Sequence, residues 1–89
     1  MIEVHIFVTG TIQGVGFRAA VKKYAAVHHI HGYVRNLSDG RVEICAQGQR
    51  DQIQAFIHVI QTKPGRGAVS DLSTKTTPLH ETFSSFEIL

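Results

Sequence analysis

The sequence predicts one α+β domain over residues 1–89, in the order strand, helix, strand, strand, helix, strand, strand. Three observations carry this. Val4, Ile6 and Val8 alternate with His5, Phe7 and Thr9, the period of a strand with one buried face. Two later stretches, Phe17 to His28 and Ile53 to Ile60, place their apolar residues at helical spacing. Between them, Gly32 to Gln47 reads as two strands around an Asp-Gly turn. A chain of 89 residues builds a single core, burying roughly 60–65% of its unfolded surface.

The first strand ends in Gly10-Thr11-Ile12-Gln13-Gly14-Val15-Gly16-Phe17-Arg18, where alternation stops and a helix begins. The first amides of a helix have no partner within it. Glycines at 14 and 16 open backbone conformations in which several N–H groups converge on one anion. Arg18 in the first turn opposes the helix dipole, so its position favours a ligand that brings negative charge. Its planar fork matches phosphoryl oxygens. The substrate phosphate is therefore expected on Gln13, Gly14, Val15, Gly16, Phe17 and Arg18.

The first helix is expected from about Phe17 to His28, with Phe17, Val21, Tyr24, Ala25 and His28 inward, and Gly32 stopping it. Tyr33 and Val34 follow in a second strand that ends at Arg35 and Asn36. The third strand, about Arg41 to Gln47, sets Val42, Ile44 and Ala46 against an outward Glu43, Cys45 and Gln47. Asp51 opens the second helix, where Ile53, Phe56, Ile57 and Ile60 recur, and Lys63-Pro64-Gly65-Arg66-Gly67 ends it. Ala68 to Lys75, rich in Ser and Thr, suits a sheet edge. A polar connection from Thr76 to Thr82 leads to a last strand at Phe83 to Leu89, with Phe86 and Ile88 on one face.

Composition narrows the function. The hydrophobic content of 43% and charged content of 18% are ordinary for a soluble domain. No apolar run approaches the roughly 20 residues of a membrane span. Met1-Ile2-Glu3 leads straight into a strand, so no export signal is read and the cytoplasm is the expected compartment, with a free-standing monomer as the expected state. A net charge of +2 suits anionic substrates but is too small for a dedicated nucleic-acid binder. The single cysteine, Cys45, lies within a strand pattern and not beside a basic helix start, which argues against a nucleophile. His28-His29-Ile30-His31 lacks the Cys or carboxylate neighbours of a metal set and suits a helix C-terminus; no metal site is expected.

The strings GTIQGVGFR and, at the right distance, GYVRNLSDGRVEI resemble the acylphosphatase family, whose signatures are G-x-V-Q-G-V-x-F-R and G-W/Y-V-x-N-x-x-x-G-x-V. The resemblance is dense over residues 4–48 and thins afterwards. It implies a ferredoxin-like βαββαβ open-faced sandwich: an antiparallel sheet, two helices on one face and an optional extra edge strand. It further implies hydrolysis of acyl phosphates to carboxylate and inorganic phosphate without a cofactor; the glycines, helix start and Arg18 of the 13–18 loop predict phosphate or sulfate as competing anions. By the same resemblance Arg18 binds the phosphate and Asn36 orients the attacking water, which makes these two the catalytic pair. Thr11 stands where the family usually has a basic residue, and Ile12 replaces the usual valine; neither is a catalytic position.

The competing reading is a non-catalytic phosphate- or anion-binding module, or an RNA-binding one, because the fold alone does not choose a function. RNA modules stack bases on aromatics of the two central strands. The outward residues His5, Phe7, Thr9, Glu43, Cys45 and Gln47 supply one aromatic and one acid, an incomplete platform. A second rival is the same fold carried inside a larger maturation or carbamoyl-transfer enzyme.

Overall fold

The structure is a computed structural model that describes residues 1–89. Its elements are β1 (Ile2–Thr11), α1 (Phe17–Val27), β2 (His31–Asn36), β3 (Val42–Gly48), α2 (Arg50–Thr62), β4 (Ala68–Thr77) and β5 (Phe86–Ile88). The sheet runs β4-β1-β3-β2-β5. Among its first four strands each neighbouring pair is antiparallel, whereas β5 joins β2 in parallel, so the sheet is mixed and not wholly antiparallel. The extra edge strand is β5, and β4 forms the opposite edge, as its Ser- and Thr-rich sequence suggests.

Alternation decides which face of the sheet is covered. Val4, Ile6 and Val8 of β1 and Val42, Ile44 and Ala46 of β3 turn to one side, where they bury against Phe17, Val21 and Ala25 of α1 and Ile53, Phe56 and Ile60 of α2. Two helices therefore occupy one face. The helices are tied together at one end, where Tyr24 Oη donates to the Lys63 carbonyl at 2.7 Å. Helix α2 starts with a capping box between Gln49 and Gln52, a device hidden in the sequence because glutamine is an uncommon N-cap.

Two expectations change. Gly32 does not stop α1: the helix ends at Val27, His28 caps it, and His29 turns the chain with φ 58°. Gly32 already lies within β2, where a Cβ would sit 1.8 Å from the Cys45 carbonyl oxygen and φ is +141°. Gly32→Ala should therefore lower stability by roughly 2–4 kcal/mol, since the clash is with backbone and the φ is strained. Urea unfolding of the variant measures this, and an unchanged midpoint would show that β2 and β3 can separate freely.

The second change concerns the other sheet face. Glu43, Cys45 and Gln47 point away from the helices yet are all buried. The segment 78–85 crosses over Cys45 and Gln47, while Glu43 accepts from the Arg35 Nε of β2: Phe83 N–H donates to Gln47 Oε1 at 2.8 Å, Gln47 Nε2 donates to the Glu81 carbonyl at 2.6 Å, and Phe83 meets the Tyr33 ring edge-on at 5.9 Å. This use of Phe83 explains why the last strand is only three residues long. Phe7, the one outward aromatic of β1 and β3, lies under the Arg41 guanidinium, 5.2 Å from the ring centre.

Candidate active site

The loop between β1 and α1 is strung between two core anchors, Ile12 and Phe17, which are 2% and 1% exposed. Pinning both ends against the core fixes the four residues between them. Gly14 and Gly16 adopt φ of 76° and 78°, the left-handed region. A Cβ at either position would meet nothing within 4 Å, so alanine there is penalised by backbone conformation alone, about 1 kcal/mol, and not by crowding. Gly16 is also the residue before α1, and no side chain caps the helix start. As a result the N–H groups of Gln13 through Ala19 donate to no backbone carbonyl. This row of open donors at a helix N-terminus is suited to an anion.

Arg18 is half-buried in the first turn of α1, and its Nη1 donates to the main-chain oxygen of Leu89 at 2.9 Å. Leu89 in turn is placed by its N–H on the Val34 carbonyl, 2.9 Å away. One guanidinium donor is thus used to aim the side chain, leaving four of the five for an anion. A cavity of about 180 Å³ opens here, lined by Gly14, Gly16, Arg18 and Ala19 and walled by Ile12, Phe17 and Ile88.

Asn36 is the last residue of β2, is exposed, and pairs with Val42. It lies two residues beyond Val34, so its side chain emerges on the face that packs against α1. The loop and this strand end are joined by Gln13, whose Nε2 donates to the carbonyls of Leu37 at 3.0 Å and Arg41 at 3.1 Å. The turn itself is stiffened by Asp39, which accepts from the Arg41 backbone N–H and its guanidinium; these contacts lower the Asp39 pKa. The bridging role of the Gln13 side chain was not legible from the sequence, nor was that of Leu89, since neither follows a local pattern.

Of the other candidates, Cys45 is buried within β3, 1% exposed. Burial first, then the nearby carboxylates of Glu3 and Glu43, push its thiol up to about 12. The histidine tract does not converge: His28 caps α1, His29 turns the chain, and His31 Nδ1 lies 2.9 Å from the Phe83 carbonyl oxygen.

Comparison with known proteins agrees with this architecture. The family model for acylphosphatases matches residues 4–88. The chain is 38% identical over 87 residues to the acylphosphatase of Chlorobaculum tepidum, covering 98% of this chain and 95% of that one. The crystal structure of the acylphosphatase from Bacillus subtilis superposes with a TM-score of 0.92 at 36% identity, covering 100% of this chain and 99% of that one. T. kodakarensis HypF carries a similar unit, with a TM-score of 0.89 at 33% identity, but the match covers only 12% of that chain. A family model that matches nearly the whole sequence and full-length relatives in both sequence and structure together place this chain in the acylphosphatase family.

Proposed function

We propose that the chain hydrolyses acyl phosphates at the carboxyl-phosphate bond, with the 13–19 amides and Arg18 holding the phosphoryl group and Asn36 positioning water. The observation that carries the reading is the unbroken row of amides without acceptors beside an arginine already aimed by Leu89. Water attacks phosphorus in line, the bond from phosphorus to the carboxylate oxygen breaks, and the carboxylate leaves with the bonding electrons. The proton of the water ends on a phosphate oxygen. A carboxylate is a good leaving group, so no general acid is demanded, and catalysis reduces to positioning and charge stabilisation. Phe17 and Val15 act here through their backbone, while Ile88 and Ala19 offer the acyl group an apolar wall.

The buried free thiol of Cys45 suits a reducing compartment, which supports the cytoplasm. No helix is long and apolar enough to cross a membrane. The polar edge β4 is a poor template for pairing with a second chain, which supports a monomer.

A synthetic acyl phosphate tests the reading directly. We expect carboxylate and inorganic phosphate in equal amounts, no turnover of ATP or simple phosphate esters, and competitive inhibition by inorganic phosphate or sulfate. Amide shifts on adding phosphate should be confined to Gln13 through Ala19 and their immediate contacts. Saturable binding without product would instead establish an anion-binding module.

A further inference from the structure

On the sheet face away from the helices, β1 and β3 bring three unlike donors together. Glu3 and His5 project from alternate positions of β1, and Cys45 is the cross-strand partner of His5. Their ligand atoms all lie within 4.8 Å of one another. His5 Nε2 is 2.9 Å from Glu3 Oε2 and 4.0 Å from Cys45 Sγ. Tetrahedral coordination with ordinary zinc bond lengths separates ligand atoms by about 3.3–3.8 Å, a value these two distances bracket. The side chains are poorly hydrated already: Glu3 is 15% and His5 24% exposed, and Cys45 is 1% exposed. The three line a cavity of about 200 Å³ that a second imidazole, His80, also lines.

We propose that Glu3, His5, Cys45 and His80 form a binding site for a borderline-soft divalent cation of the zinc type. The donor set decides the class. Mg²⁺ and Ca²⁺ prefer oxygen ligands throughout, whereas a thiolate with two imidazoles and one carboxylate suits Zn²⁺ or Co²⁺. An outer shell is in place: Gln47 Nε2 donates to Glu3 Oε1 at 2.8 Å and Thr77 Oγ1 to Glu3 Oε2 at 3.1 Å, which fixes the carboxylate. Gln47 also holds the 81–83 backbone, so the ligand-bearing segment and the sheet are joined by one side chain. Coordination releases the thiol proton of Cys45 to solvent and replaces the His5–Glu3 contact. The site lies near the start of β1, whereas the phosphate loop follows its end, so the cation is structural: it clamps the 78–85 segment to the sheet and takes no part in hydrolysis.

Calorimetric titration of Zn²⁺ into the full chain should show one equivalent bound, with a rise in thermal unfolding temperature. Co²⁺ should develop the near-ultraviolet charge-transfer band of a thiolate ligand. Cys45→Ser and His5→Gln should each weaken Zn²⁺ binding on the order of 100-fold or more, and His80→Ala about 10-fold or more. His80 is exposed, so its variant keeps the proposal testable if Cys45→Ser fails to fold. Combined replacement of His28 and His29 should leave binding intact. A Co²⁺ complex without the thiolate band, undiminished binding in His5→Gln and His80→Ala, or binding lost on replacing His28 and His29 would each overturn the assignment.

Discussion

Arg18→Ala should lower kcat/KM on the order of 10³- to 10⁵-fold, the range of an arginine that stabilises a transferring phosphoryl group. This corresponds to about 4–7 kcal/mol of transition-state stabilisation. In the proposed role the guanidinium holds the phosphate before and during transfer, so the loss should appear in both terms, and inorganic phosphate should bind weakly as well. Arg18→Lys should recover only part, since an ammonium keeps the charge but not the paired parallel donors. The fold should survive. Arg18 makes one exposed hydrogen bond, to Leu89, worth about 1 kcal/mol, so thermal unfolding should move little. Near wild-type kinetics in a folded Arg18→Ala protein would remove the phosphate from this loop altogether.

Asn36→Ala should act differently. Its side chain makes no hydrogen bond within the protein and supports none of the core, so the variant should unfold at the wild-type temperature. In the proposed role it touches water and not phosphate. Removing it should leave competitive inhibition by phosphate nearly unchanged while lowering kcat by roughly 10²-fold or more. Phosphate affinity intact with turnover lost separates this role from that of Arg18. If instead kcat holds and phosphate affinity falls, Asn36 belongs to the anion cradle and the water is oriented by another group.

Much of this was open to reading along the chain. The alternation of Val4, Ile6 and Val8, the helical recurrence of Ile53, Phe56, Ile57 and Ile60, and the Asp39-Gly40 turn are local signals, and each element stands within a few residues of its expected limits. The loop at 13–18 was equally legible, because a period change at paired glycines marks a strand-to-helix turn whatever surrounds it. Motif spacing then carried the resemblance that assigned Arg18 and Asn36 their roles.

What the sequence by itself determined was the order of elements, the face of the sheet that the helices cover and the place of the glycine loop between β1 and α1, all set by periodicity and backbone freedom over a few residues. Tertiary structure alone decided the rest. Arg18 is aimed by Leu89, 71 residues away, and Gln13 braces the loop against carbonyls 24 and 28 residues on. Gly32 is required by the approach of the β3 backbone, and β5 lies parallel because its chain returns after crossing the sheet. Of the outward residues of β3, Cys45 and Gln47 are buried where segment 78–85 crosses and Glu43 by its pairing with Arg35; the same crossing puts His80 on the cavity lined by Glu3, His5 and Cys45. Such contacts join residues with no fixed separation, so no repeat in the sequence encodes them; they exist only once the strands have paired.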